Sequence, residues 1–261
     1  MRILLTNDDG ITAEGLESLE RIARTLTDDV WICAPEHEQS GAGRGLTLTE
    51  PLRVRTLGEK RFAVTGTPTD CVILAVNDIM GEANKPDLVL SGVNRGHNLG
   101  EDVTYSGTVA GALQGMAMGI RSIALSQSMT RFHDEVVPHW DTAEQFGPGV
   151  VRRLTEADWP DGVVMNVNFP PLPPDQVSEV EVTVQGFRDA GELHGVKRTD
   201  LRGRDYYWMA FRGKPQEHAP GTDLRAVADG KISVTPLHID LTHLPTVSTL
   251  KRVLGGAPPK V

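Results

Sequence analysis

The stretch RILLTNDDGI, Arg2 to Ile11, runs without a break from an apolar segment into Asn7, Asp8 and Asp9. Arg2–Thr6 reads as a short buried strand. A helix is predicted over about Ala13 to Leu26, with Leu16, Leu19, Ile22, Ala23 and Leu26 recurring on one face. Val30–Ala34 reads as a second buried strand, ended by Pro35. Strand, helix and strand make a β-α-β unit, which predicts a parallel sheet. The same stretch poses a chemical question. Two adjacent carboxylates at a strand end repel each other, and something placed between them would hold them.

Further along, EHEQSGAGRGLTLTEPLRV is a glycine-bearing loop that feeds extended segments, and Phe62–Thr65 reads as a strand. GTPTDCVILAVNDI opens a helix: Thr67 is a candidate N-cap, Pro68 sits at the first helical position, and Asp70 completes a capping-box pattern. PDLVLSG is a buried strand of the parallel kind. A glycine- and asparagine-rich loop from Gly92 to Gly107 follows, and then TVAGALQGMAMG reads as a helix. Its Gly111, Gly115 and Gly119 recur every fourth residue, which predicts close packing of that face. Ser122–Ser126 and Val163–Asn168 are two further strands. Between them Gly147-Pro148-Gly149 is expected to break a helix.

From Ser178 the alternation in VSEVEVTV, YYWMAFRG and KISVTPL suggests antiparallel strands. The organisation expected is one domain of α/β class. An α/β core with a mostly parallel sheet covers about 1–177, a β-rich extension covers about 178–236, and a C-terminal segment with a loose tail covers about 237–261.

Composition narrows the function classes. The net charge of −9 disfavours a nucleic-acid duplex as partner, since that would want a basic surface. Cys33 and Cys71 are too few for a disulfide framework and lack metal-site spacing. The apolar run Ile3-Leu4-Leu5 stops too soon for a signal peptide, and no run is long enough for a membrane span. A cytoplasmic protein that engages no membrane is expected.

In an open parallel sheet, ligands bind outside the carboxyl ends of the strands. Asp8-Asp9 follows the first strand, Ser40-Gly41 follows the second, and Asn94 to Asn98 follows DLVLS. Three polar loops therefore meet at one edge. Asp8, Asp9, Ser40 and Asn94 offer only oxygen, which suits Mg²⁺ or Mn²⁺ better than zinc. A divalent ion would turn the carboxylate repulsion into attraction; the competing reading is a turn whose acids are favoured by a helix N-terminus. Tyr105-Ser106-Gly107-Thr108 opens a helix of small residues. Free N–H groups there would bind an anion, with the Ser106 and Thr108 hydroxyls as added donors and Gly107 giving access. The competing reading is a simple Ser/Thr cap. Metal and anion hole together are what phosphoryl transfer needs.

Other chemistries fail on the letters. A receiver domain needs an acceptor Asp at the end of the third strand, where this chain has Ser91-Gly92. Haloacid-dehalogenase phosphatases need Asp-x-Asp, and these acids are adjacent. Gly41 to Gly45 hints at a dinucleotide fingerprint, but Leu46-Thr47-Leu48 and Pro51 follow it rather than a helix. His37 and His97 lie in the site loops as bystanders or acids.

The blocks ILLTNDDGI, APEHEQSGAG, VTGTPTDCV, PDLVLSGVNRGHNLGEDVTYSGTVAGA, MNVNFP and ISVTPLHIDLT together resemble the SurE (survival protein E) nucleotidases over residues 3 to about 242. The resemblance implies a Rossmann-like three-layer core with a β-rich extension, and a metal-dependent phosphatase acting on nucleoside 5′- or 3′-monophosphates, with one Mg²⁺ or Mn²⁺ per subunit. The family's metal ligands map onto Asp8, Asp9, Ser40 and Asn94, and its phosphate-facing segment onto Asn98, Ser106, Gly107 and Thr108. In the mechanism expected, the cation activates a water that Asp8 or Asp9 orients or deprotonates. A homodimer or homotetramer built through the C-terminal part is implied as well. The alternative is a nucleotide-binding sensor with the same pocket and no turnover.

Overall fold

The computed structural model describes residues 1–132, 135–188, 193–211 and 217–255. The chain opens as expected, with β1 (Ile3–Thr6), α1 (Glu14–Arg24) and β2 (Val30–Pro35). Then come β3 (Val54–Gly58), β4 (Arg61–Val64), α2 (Pro68–Leu74), β5 (Leu88–Arg95) and α3 (Gly107–Ala117). The second half holds β6 (Arg121–Gln127), a small hairpin of β7 (Met129–Phe132) and β8 (Glu135–Pro138), α4 (Trp140–Glu156) and β9 (Val163–Phe169). It closes with β10 (Val180–Val182), β11 (Leu193–Thr199), β12 (Asp205–Phe211), α5 (Asp223–Ala228), β13 (Ile232–His238) and α6 (Leu244–Leu254).

Nine strands form one sheet in the order β10-β13-β9-β6-β5-β1-β2-β4-β3. The pairs around β1 are parallel; only β3 against β4 and β13 against β9 run antiparallel. All four residues of β1 are buried, and alternation sends them to opposite faces. Ile3 and Leu5 pack with Leu16, Leu19 and Ile22 of α1 and with Val150 and Val151 of α4. Leu4 packs on the other face with Cys71 and Val72 of α2. The result is three layers, helix on sheet on helix.

β1 lies between β2 and β5, so the chain leaves β1 on one side and returns on the other. Such a reversal opens a crevice at the carboxyl ends of the two central strands. Thr6 sits level with Ser91 in β5, immediately below Asp8.

Two helices depart from the sequence reading. The helix α4 runs unbroken through Gly147-Pro148-Gly149. An interior proline costs about 3 kcal/mol. Burial of Ala143, Val150 and Val151 in the α1-side core offsets that, at about 1.5–3 kcal/mol for each large apolar side chain. Gly147 is needed for the approach, since a Cβ there would lie 2.8 Å from Ile22 Cδ1. In α3 the close-packing stripe is Gly107, Gly111 and Gly115. A Cβ at Gly111 would lie 2.8 Å from Ser91 Oγ, and one at Gly115 would lie 2.5 Å from Ser122 Oγ. Gly119 instead ends the helix at φ +72°, a conformation glycine favours.

The region after Ser178 divides. β11 and β12 form a separate antiparallel hairpin. β10 and β13 join the main sheet instead, with β10 pairing in parallel rather than antiparallel as the alternation had suggested. The capping box at Thr67 and Asp70 is present as read. Part of the expected C-terminal tail, 256–261, lies outside the described residues.

Candidate active site

The loops at the carboxyl edge are tied to one another by backbone hydrogen bonds. Gln39 N–H donates to the Asp8 carbonyl at 2.8 Å, and Ile11 N–H to the Pro35 carbonyl at 2.8 Å. Gly43 N–H donates to the Tyr105 carbonyl at 3.0 Å. Asn7 closes the acidic turn from within, its Nδ2 donating to the Gly10 carbonyl at 2.9 Å. The convergence of 7–10, 36–43 and 94–108 is thus a bonded arrangement.

Asp8 is buried, with 4% of its surface exposed. Burial pushes its carboxyl up to about 6; the neighbouring Asp9 charge adds to the rise, and hydrogen bonds from the Thr108 hydroxyl and backbone oppose it. Thr108, fully buried, donates its hydroxyl to Asp8 Oδ1 at 2.5 Å. Gly107 closes the same contact, since a Cβ there would lie 2.6 Å from Asp8 Cβ. The start of α3 therefore seats Asp8 directly. Ser106 caps that helix, its Oγ accepting from Val109 N–H at 3.0 Å.

Asp9 accepts the Arg95 N–H on Oδ2 at 3.0 Å. Burial raises its pKa, and the charge of Glu38 raises it further against the pull of Arg95. Asn94 lies on the last residues of β5 rather than in a loop. A register shift between Ser91 and Asn94 precedes it. Only glycine fits that irregularity, since a Cβ at Gly92 would lie 2.2 Å from the Leu125 carbonyl oxygen. Such bulges re-aim the side chains that follow. Asn94 Nδ2 donates to the Gly96 carbonyl at 2.9 Å, and the Ser40 hydroxyl donates to Glu38 Oε1 at 2.8 Å.

A common pattern emerges. Each of the four candidate ligands spends one atom on being positioned and keeps an oxygen over: Oδ2 of Asp8, Oδ1 of Asp9, Oδ1 of Asn94 and the lone pairs of Ser40. Two raised carboxylates with neutral oxygens around them fit a hard divalent cation. Among the described residues no cluster of three or more His, Cys, Asp or Glu suited to a metal forms, so the fit rests on this mixed set.

Asn98 lies deeper than the sequence implied. It is buried and its Nδ2 donates to Ser126 Oγ at 2.8 Å. Two residues later, Gly100 N–H donates to the buried carboxylate of Asp223 at 2.8 Å, which also accepts Gly186 N–H at 2.7 Å. Glu38 and Asp223 escaped the sequence reading. Glu38 had a usable signal, two residues before Ser40 in one loop. Asp223 had none, being 123 residues from the loop it holds. His37 and His97 are both exposed in their loops.

The family model for Survival protein SurE matches residues 3–192. A 5′-nucleotidase SurE from Caulobacter vibrioides is 70% identical over 260 residues, covering 100% of this chain and 98% of that protein. One from Phenylobacterium zucineum is 61% identical over 261 residues, covering 100% of both. The crystal structure of a SurE protein from Aquifex aeolicus superposes with a TM-score of 0.82 at 38% identity, covering 97% of this chain and 99% of that one. With its carboxyl-edge site, its three-layer sheet and these matches along its length, the chain belongs to the SurE family.

Proposed function

We propose that the chain is a 5′-nucleotidase that hydrolyses nucleoside 5′-monophosphates, and 3′-monophosphates as well, to nucleoside and inorganic phosphate, using one divalent cation, Mg²⁺ or Mn²⁺. The observation that carries the reading is Asp8. A carboxyl raised to about 6 by burial, beside a second acid and braced by Thr108, is an unfavourable place for a lone negative charge and a favourable one for a cation's ligand. The names of the full-length relatives support the substrate class.

Asp8, Asp9, Ser40 and Asn94 would hold the ion, each through the oxygen left over after positioning. The bound ion supplies charge neutralisation and Lewis acidity to phosphoryl transfer. Asp8 or Asp9 orients the attacking water and takes its proton. Asn98, Ser106, Gly107 and Thr108 line the phosphate side of the site, but the Thr108 hydroxyl, expected as an added donor to the anion, is spent on Asp8, so with Gly107 it acts by seating that acid and couples the anion side of the site to the metal side. We place the enzyme in the cytoplasm as a homodimer or homotetramer. Among the described residues no helix is long and apolar enough to cross a membrane.

The test is phosphate release across a panel of nucleoside 5′- and 3′-monophosphates, with and without EDTA. Release that EDTA abolishes and added Mn²⁺ or Mg²⁺ restores is the expected result. Binding of nucleotide without release would reduce the protein to a sensor.

A further inference from the structure

The strand β9 carries two asparagines for which the reaction above has no use. Alternation puts Val164, Asn166 and Asn168 on one face, and none of the three exposes any surface. Val164 joins the apolar cluster under α3. Asn166 and Asn168 continue that face to the carboxyl end of the strand, beneath the site.

Both grip the same residue. Asn98 N–H donates to Asn168 Oδ1 at 2.8 Å, and Asn168 Nδ2 donates back to the Asn98 carbonyl at 3.1 Å. Asn166 Nδ2 donates to that carbonyl as well, at 2.8 Å. A carboxamide holds a donor and an acceptor in one plane, so Asn168 gives Asn98 the pair of bonds that a neighbouring strand would. Stability alone does not ask for this. Asn166 Oδ1 is buried without a partner, and an unsatisfied buried group costs about 1–3 kcal/mol. Each unsatisfied group in a folded protein calls for a reason.

The reason lies one bond further on. Asn98 Nδ2 carries two hydrogens, and Ser126 Oγ takes one of them. The second has no partner among the described residues. We propose that Asn168, assisted by Asn166, is a positioning residue for phosphate binding: by fixing the main chain of Asn98 it aims that remaining N–H. The inference rests on the phosphate-facing role given to Asn98 above. It extends to β9, and to the MNVNFP block, a share of the site that no candidate ligand supplies.

The experiment is a double-mutant cycle of Asn168→Ala and Asn98→Ala, with binding of inorganic phosphate to the Mn²⁺-loaded protein read by calorimetry and KM and kcat read by phosphate release. Each single variant should weaken phosphate binding and raise KM about tenfold, the worth of one hydrogen bond to an anion. Mn²⁺ affinity should stay near wild type, and kcat should fall less than KM rises. The double variant should be no worse than Asn98→Ala alone, because Asn168 acts through that side chain. In metal-free protein, the Asn98 amide should exchange faster with solvent in Asn168→Ala. Should that variant not fold, Asn166→Ala, which removes a single donor to Asn98, carries the same expectations at smaller size. Losses that multiply in the double variant, a parallel drop in Mn²⁺ affinity, or unchanged phosphate binding would each overturn the proposal. A wild-type protein that binds phosphate but releases none from nucleotides overturns the phosphatase reading and leaves this one standing.

Discussion

Thr108 at the start of α3 donates its hydroxyl to Oδ1 of Asp8, at 2.5 Å and across 100 residues of chain. The contact joins the two halves of the site. A hydrogen bond to a charged group is worth about 1.5–3 kcal/mol, so Thr108→Val should lower kcat/KM roughly 10- to 100-fold, with Thr108→Ser recovering most of it. Phosphate-release kinetics with saturating Mn²⁺ measure it. Equal activity in Thr108→Val would remove the hydroxyl from the machinery.

Gly107 tests the same seam by volume instead of by bonding. With a Cβ placed 2.6 Å from Asp8 Cβ, even Gly107→Ala must displace the acid or the helix. Gly107→Val should abolish most turnover while far-UV circular dichroism stays close to wild type. Near-normal turnover in Gly107→Val would show that α3 does not set the position of Asp8.

Asp9→Asn keeps the size and removes a charge that the proposed cation would use. Loss of electrostatic stabilisation of this kind costs a few kcal/mol, so turnover should fall on the order of 100-fold or more. Excess Mn²⁺ should restore only the part due to occupancy. Undiminished phosphate release in both Asp9→Asn and EDTA would end the metal-phosphatase reading.

The acidity of Asp8 has a consequence for metal-free protein. Its folded carboxyl titrates near 6 against 3.8 for the free side chain. In that interval the folded chain holds a proton that the unfolded chain has released, so this group stabilises the fold at low pH and the contribution is lost as pH rises through 6. In EDTA, Tm should therefore rise for wild type relative to Asp8→Asn as the pH is lowered from about 7 to 5, a difference that isolates Asp8 from the histidines. Parallel Tm curves for the two proteins would contradict it.

Assembly can be checked by light scattering. The helix α6 buries none of its residues, and Leu244, Val253 and Leu254 on it are 67%, 70% and 60% exposed. Tyr207, Trp208 and Met209 on β12 are exposed as well. Surfaces this apolar are normally covered. A mass of two or four chains at micromolar concentration is expected; a monomer would refute it.

The sheet could be read from the letters because its signals are local. Buried runs such as ILLT and DLVLS have one place to go, and Pro68 and Asp70 declare a helix start within three residues. The four candidate ligands were legible for the same reason, Asp8, Asp9 and Asn94 standing at strand ends and Ser40 in the loop that follows β2. Three features escaped because their causes are distant in sequence. Helix α4 survives Pro148 through its contact with Ile22. β10 pairs with a strand about 50 residues later, which alternation alone cannot reveal. Asn98 is oriented by β9, whose asparagines look like an ordinary strand end until the loop is laid over them.

The carboxylate of Asp223, which closes on Gly100 and Gly186, has a meaning for biosynthesis. A ribosome delivers Asp8, Asp9, Ser40 and Asn94 early, but the anchor that pins the loop after Asn98 emerges only with α5. A chain truncated ahead of Asp223 would keep every candidate metal ligand while that loop lacked its far mooring. The finished shape of the site thus waits on a residue made 123 positions after the loop it holds, and a product clipped ahead of Asp223 would carry the acids without that shape.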